Sequence, residues 1–378
     1  MQKNLQEAKN AKNDEFYTQY NVIQREINAY LEFDQDAFRG KTILLPCDDP
    51  DWSNFTRFFA QNFEYFGLKK LISTSYAVNS KRYKEVMQLS LFETNSPKYD
   101  PSKTDTNGKI FILDRAANGS HRLDIHDLKW DYLQGDGDFR SPEVKALRDD
   151  ADIIVTNPPF SLFREFLSWI IEADKKFLII GNKNAITYKE VFPLIKDNKI
   201  WAGARPMGAD MYFQAPQGYI EEILDKERMT AVALVGDEYL ARSPSMWFTN
   251  LDHGRRHEPL ILMNMADNMK FNKTIVKQGK KYFKYDNYDA IDVPVTQAIP
   301  SDYDGVMGVP VSFLDKYCPE QFEIIGMGTG DNAKEIGITK NYRGRTDLSL
   351  TLPDGTHTCP FQRILIRWKQ PPEQRQVQ

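Results

Sequence analysis

The run Asp152-Ile153-Ile154-Val155-Thr156-Asn157-Pro158-Pro159-Phe160 limits this chain more than any other stretch. Ile153 to Thr156 reads as a buried strand. It ends abruptly in Asn-Pro-Pro-aromatic, and a helical pattern, Ser161-Leu162-Phe163-Arg164-Glu165-Phe166-Leu167, follows at once. Proline fixes its own φ and forces the preceding residue into an extended conformation. Asn157 is therefore held at the carboxyl end of a strand, where open α/β sheets bind ligands. Its side-chain oxygen and the Pro158 carbonyl offer two acceptors, and Phe160 a flat apolar face beside them. That combination suits a planar group carrying an exocyclic NH2. An Asn-Pro step alone commonly makes only a turn; the strand before it, the helix after it and Phe160 argue for a site.

The rest of the chain supplies a frame for that strand. Glu15 to Tyr30 reads as a helix. Lys41 to Pro46 and Leu68 to Ser75 read as strands, with Ser53 or Asn54 capping an aromatic helix between them. Asn79 to Gly119 is polar and irregular and reads as an excursion from the core, with Ile110 to Leu113 a strand inside it. Asp136-Gly137-Asp138-Phe139 reads as a turn. Lys176 to Gly181 and Ser245 to Leu251 read as further strands of the same sheet. Strands alternating with helices predict βαβ units and a mainly parallel sheet. Beyond about Asp252 the alternation fades into short strands rich in Pro, Gly and Tyr, which predicts a mixed second domain. The expected boundaries are 1–255 and 256–378.

Composition excludes several classes. With 41% hydrophobic and 27% charged residues over 378 positions, the chain reads as globular. No apolar stretch is long enough to span a bilayer. Cys47, Cys318 and Cys359 show neither metal-ligand spacing nor a disulfide framework, so no metal is expected and a reducing cytoplasm fits. The net charge of −4 announces no nucleic acid. Locally, however, His253 to Lys284 holds eight Lys/Arg against Glu258 and Asp267, with Tyr282, Phe283 and Tyr285 close by. A basic stripe with aromatics fits a nucleic-acid backbone, but on its own the stripe favours an ordinary solvated face.

Taken together, these pieces resemble the EcoRI-type adenine-specific DNA methyltransferases. The resemblance rests on Asp14-Glu15-Phe16-Tyr17-Thr18-Gln19-Tyr20, Cys47-Asp48-Asp49-Pro50 with Ser53-Asn54-Phe55, and Gly67-Leu68-Lys69-Lys70-Leu71-Ile72. It continues through Gly135-Asp136-Gly137-Asp138-Phe139-Arg140-Ser141, the Asn157 segment, Lys284-Tyr285-Asp286-Asn287-Tyr288-Asp289-Ala290-Ile291 and Gly305-Val306-Met307-Gly308-Val309-Pro310. Residues around 79–119 and 207–244 match less well.

The resemblance implies an α/β fold: a Rossmann-like S-adenosylmethionine-dependent methyltransferase sheet followed by a C-terminal mixed target-recognition domain. It implies S-adenosylmethionine as cofactor and the N6 amino group of adenine in double-stranded DNA as acceptor, with a monomer acting away from membranes. Asn157, Pro158, Pro159 and Phe160 become the catalytic residues. Phe16, Tyr17 and Thr18 are similar to the motif that holds the methionine end of the cofactor. Cys47, Asp48, Pro50 and Asn54 lie in the loop that is usually glycine-rich, and Asp138-Phe139 matches the pair that reads and stacks on the cofactor's adenine. Two departures stand out. The first loop lacks G-x-G, leaving Asp48 either to face the cofactor's ammonium or to complement a helix dipole. The second strand lacks a terminal acid for the ribose, so Thr74, Ser75 or Tyr76 takes that place. Arg255, Arg256, Lys273 and Lys277 are the candidate DNA-phosphate contacts. Alternatives left open are a protein glutamine or RNA adenine methyltransferase, and a catalytically silent DNA-binding protein.

Overall fold

The computed structural model describes residues 17–48, 53–77, 96–117, 123, 127–208, 210–215 and 217–375. It is a mixed α/β structure in two compact units. One comprises 1–185 with 202–252, the other 186–201 with 253–378. The crossing at 252/253 lies close to the 255/256 boundary expected from the sequence. The grouping of 186–201 with the second unit is not visible in a linear reading.

The central sheet, whose strands belong to the first unit except for Trp201 of β8, is built on β2 (Thr42–Leu45), β3 (Lys70–Ser75), β4 (Lys109–Asp114), β5 (Lys129–Tyr132), β6 (Ile153–Thr156), β7 (Lys176–Asn182), β8 (Trp201–Ala202) and β12 (Ser245–Thr249). These form one sheet in the order β5-β4-β3-β2-β6-β7-β12-β8. The centre, β3-β2-β6-β7, is parallel. Both β2 and β6 are buried at every position, as a strand covered on two faces must be. The flanks β4, β5 and β12 run antiparallel, so the mainly parallel expectation holds only for the middle of the sheet. Ile110 to Leu113 belongs to β4, paired along its whole length with β3, and is not part of an excursion.

Helices α1 (Tyr20–Phe33), α2 (Asn54–Gln61), α3 (Phe63–Phe66), α4 (Pro142–Asp150) and α5 (Phe163–Glu172) belong to the same unit. The aromatic run of α2 and α3 supplies Phe55, Phe58, Phe59, Phe63 and Phe66 to the core, where they join Ile43, Leu45, Leu71 and Val155. Aromatic side chains bury large areas and prefer edge-to-face contacts, as between Phe58 and Phe59 with ring centres 5.5 Å apart. This unit also contains a second, antiparallel sheet that the sequence pattern does not predict. Its order is β1 (Tyr17–Thr18), β9 (Met211–Gln214), β11 (Glu238–Ser243), β10 (Val232–Val235). The alternating burial of Met-Tyr-Phe-Gln in β9 marks it as a half-buried strand.

The second unit carries the mixed sheet β13 (Phe283–Lys284), β14 (Ile291–Asp292), β15 (Met307–Pro310), β19 (Arg363–Trp368), β16 (Phe322–Met327), in that order. A hairpin of β17 (Leu350–Thr351) and β18 (His357–Thr358) accompanies it. Asn264 and Asn272 cap its short helices Met265–Phe271 and Lys273–Lys277. No helix among the described residues is long and apolar enough to cross a membrane.

Candidate active site

Three segments distant in sequence meet at the carboxyl ends of β2, β3 and β6. Tyr17, Thr18, Cys47, Asp48, Ser53, Phe55 and Asn157 line one cavity there. The β1 end arrives through pairing with β9, Tyr17 opposite Gln214 and Thr18 opposite Phe213. Phe213 in turn meets Phe160 edge-to-face at 6.1 Å. One of the two segments that match the family less well, 207–244, thus supplies the strand that pairs with Tyr17 and Thr18.

Asn157 follows the last buried residue of β6 and is half-buried, while Pro158 and Pro159 are buried. Phe160 opens a short 3-10 turn, Phe160–Leu162, that leads into α5. Phe160 stays partly exposed, unlike Phe163 and Phe166 just beyond it.

Asp48 is only 6% exposed, and its carboxylate is engaged internally. Ser53 Oγ donates to Oδ1 at 2.7 Å and Thr156 Oγ1 lies 2.6 Å from Oδ2. The Asp48 backbone is held as well. Its N–H donates to the Thr74 carbonyl at 2.7 Å, and its carbonyl accepts from Thr56 Oγ1 at 3.2 Å and from Ser73 Oγ. Asp48 is thus a buried knot joining β6, β3 and the start of α2, a role that neither reading of it from sequence includes. The clue is chemical: Ser53 and Thr156 are hydroxyl residues at the two points a carboxylate between them would need.

The neighbouring positions divide between support and site. Asn54 Nδ2 donates to the Thr18 carbonyl at 2.8 Å, tying α2 to β1. Ser53, not Asn54, caps α2 by accepting from Phe55 N–H at 3.1 Å. Thr74 Oγ1 accepts from the Cys47 N–H at 3.4 Å, whereas Ser75 Oγ is buried with no partner among the described residues. Thr18 Oγ1 is in the same state. An unpartnered buried hydroxyl costs free energy unless something else completes its bonding. Phe16 and Pro50 lie outside the described residues.

Asp138 sits in the turn after Gly137, whose φ of +84 favours glycine and whose Cβ would stand 2.3 Å from the Ser75 carbonyl. Its carboxylate takes a fork from Arg140, Nε to Oδ1 at 3.0 Å and Nη2 to Oδ2 at 2.8 Å. That pairing raises the Arg140 guanidinium further above its ordinary range. Phe139 is 1% exposed and packs edge-to-face on Phe166 and Trp169 at 5.0 and 5.6 Å. Its ring is committed to the core, so in this structure it anchors the Asp138 turn and presents no open face for stacking.

The basic segment also divides. Arg255 pairs with Asp315 at 3.1 Å. Arg256 is 8% exposed, lies 3.7 Å from the centre of the Trp201 ring and donates to Asn198 Oδ1. Both guanidiniums are engaged inside the second unit. Lys273 and Lys277, by contrast, are exposed on their short helix, as are Lys270, Lys280 and Lys281 nearby.

The parallel centre of the sheet and an Asn-Pro-Pro-Phe turn at its carboxyl edge, facing a hydroxyl-lined cavity, define an amino-group methyltransferase. Comparison with known proteins makes the family specific. The profile of the family described as adenine-specific methyltransferase EcoRI matches residues 4–369, and the chain belongs to that family. It is 41% identical to the Type II methyltransferase M.EcoRI of Escherichia coli, over 97% of this chain and 96% of that protein. Identity is 33% to the Type II methyltransferase M.MpnI of Mycoplasma pneumoniae, over 89% and 91% of the two chains. It is also 33% to M.MgeORF184P of Mycoplasma genitalium, over 84% of each. No solved structure matches the chain. The protein is thus an enzyme that methylates adenine in DNA with S-adenosylmethionine as methyl donor.

Proposed function

We propose that the chain is a site-specific modification methyltransferase of a restriction–modification system, acting on an adenine flipped out of double-stranded DNA, with Asn157 to Phe160 as its catalytic segment. The single observation that carries this reading is that Asn157 shares one cavity with Thr18 and Asp48 at the carboxyl edge of the sheet. The strand order is read as Rossmann-like. The first unit serves as the catalytic domain and the second as the target-recognition domain, in a monomeric, cytoplasmic protein.

The residues present fit the cofactor. The buried hydroxyls of Thr18 and Ser75 offer bonds to its polar groups, Ser75 at the strand end where a ribose is expected. Tyr17 and Cys47 line the same cavity as Thr18, and Asp138 is assigned to the adenine amino group. S-adenosylmethionine supplies a methyl group made electrophilic by its sulfonium.

An adenine amino nitrogen is a poor nucleophile because its lone pair is delocalised into the ring. Asn157 Oδ1 and the Pro158 carbonyl accept its two hydrogens and so favour a localised lone pair. The proline backbone fixes the Pro158 carbonyl before the substrate arrives, and the Thr156 hydroxyl, 2.6 Å from Asp48 Oδ2, ties down the residue just before Asn157. No strong base is needed, because the proton leaves an already alkylated nitrogen. Base flipping costs a few kcal/mol. Phe160, stacked on the extruded ring, recovers about 1–3 kcal/mol of it.

Asn157→Ala tests the reading. Single-turnover methylation should fall by orders of magnitude while cofactor affinity, measured by calorimetry, stays within a few-fold. Transfer within a few-fold of the wild type would remove Asn157 from catalysis.

A further inference from the structure

The second unit holds a loop built to present two arginines. Asn287 clamps its base from outside. Nδ2 donates to the carbonyls of Thr339 at 2.8 Å and Asp347 at 2.9 Å, while Oδ1 accepts from Ser349 N–H at 3.0 Å. Asn341 ties the tip from inside. Oδ1 accepts from the N–H groups of Arg343 at 2.9 Å and Arg345 at 3.2 Å, and Nδ2 donates to the Asp347 carbonyl at 3.1 Å. The turn closes through Asn341 N–H to the Arg345 carbonyl at 2.8 Å and passes through Gly344 at φ +72, a conformation that favours glycine.

What this scaffold displays is exposed and unneutralised. Arg343 and Arg345 are both exposed, and among the described residues neither takes part in an ion pair. Arg343 lies 5.1 Å from the centre of the Tyr342 ring, and Tyr342 stacks on His357 with ring centres 5.2 Å apart. Surface arginines on a flexible loop need no such bracing. A loop whose feet and tip are fixed by two buried or half-buried asparagines has given up its conformational entropy in advance, which is what selective binding requires.

Resting on the reading of this chain as a duplex-DNA methyltransferase, we propose that the 341–347 loop reads guanine edges in the major groove, with Arg343 and Arg345 as specificity-determining residues. Arginine offers two parallel donors that match the O6 and N7 acceptors of guanine, a pattern no other base pair edge repeats. Losing a guanine reader relaxes specificity at one position of the motif, whereas losing a phosphate contact weakens binding evenly across sequences. The two roles therefore separate under an Arg→Ala exchange.

The experiment expresses the wild type, R343A, R345A and the double alanine variant in a host that lacks adenine methylation. The methylated motif in each is then mapped by single-molecule sequencing. Purified proteins are compared in thermal melts and cofactor titration to establish folding. The expected result is that each single alanine variant retains cofactor binding yet loses about tenfold in preference at one guanine of the motif. The double alanine variant should relax both. A motif unchanged in the single variants, with methylation lowered evenly across sites, would overturn the proposal in favour of phosphate binding. Unchanged methylation throughout would overturn it outright. If the wild type methylates no adenine in DNA, the underlying reading fails instead, and the two failures are distinct.

Discussion

Glu26 offers a pH-dependent prediction with a definite sign. It lies in α1 and is 1% exposed, yet its carboxylate accepts from the N–H groups of Ala204 at 2.7 Å and Arg205 at 2.9 Å. Tyr30 donates to it as well, at 3.1 Å. Burial dominates these bonds and raises its pKa from 4.5 to about 7. Between those values the folded protein holds a proton that the unfolded chain has released. Stability is therefore greatest at the acid side of the window and falls as pH rises toward 7, by about 1.4 kcal/mol per pH unit at most and about 3 kcal/mol in all. Glu26→Gln removes the titration. Its amide still accepts one N–H but sets an NH2 against the other, at a cost of about 1–3 kcal/mol at every pH. The variant should thus be clearly less stable than the wild type near pH 5 and close to it near pH 8. Denaturant titrations at four pH values and constant ionic strength measure the difference, in which all other titrating groups cancel. A difference that stays constant from pH 5 to pH 8 would refute the reasoning.

Other parts of the site give further expected outcomes. Thr156→Val keeps the shape but leaves the Asp48 carboxylate short of a donor. It should cost about 1–3 kcal/mol of stability and lower the methylation rate without changing the DNA motif, as read by denaturation and single-turnover assays. Ser75→Ala should weaken S-adenosylmethionine binding by about threefold to tenfold, one neutral hydrogen bond, whereas a calorimetric affinity unchanged from wild type would return the ribose role to another residue. Neutralising Lys273 and Lys277 together should reduce the slope of log K against log salt by about 0.9 for each DNA phosphate that is no longer neutralised, with the motif intact; an unaltered slope would leave them as solvated surface.

Much of the catalytic unit is legible because its signals are local. The strands at Thr42–Leu45, Lys70–Ser75, Ile153–Thr156 and Lys176–Asn182 are apolar runs ended by turn residues, and the Ser53 cap announces itself by position. What cannot be read from the sequence depends on partners far along the chain. The pairing of Thr18 with Phe213 spans most of the first unit, and no periodicity in either segment encodes it. A count of charges places Arg256 among the DNA contacts, because nothing near it in sequence shows that its guanidinium lies over Trp201. The neighbouring Asp138 makes Phe139 read as a stacking plate, yet its side of the turn faces Phe166 and Trp169. Asn287 stands within a recognisable segment, but its work of bracing the 341–347 loop emerges only in three dimensions.

The missing glycines of the first loop have a structural answer. A glycine-rich loop allows left-handed backbone and close approach; here Cys47 adopts φ +68 with a side chain present. Such a conformation costs about 1–3 kcal/mol and persists only where its surroundings over-determine it. They do so: the Cys47 and Asp48 N–H groups both donate to Thr74, and the Asp48 carboxylate and carbonyl each gather two hydroxyl groups. The close approach that glycine permits has moved to the other side of β3. A Cβ on Gly108 would lie 2.5 Å from the Ser75 carbonyl, and one on Gly137 at 2.3 Å. The end of β2 is thus shaped by hydrogen bonds to a buried acid, and the end of β3 by absent side chains. The acid brings something glycine cannot. Through Thr156 it ties the loop after β2 to the residue immediately before Asn157, so the two segments share a single joint.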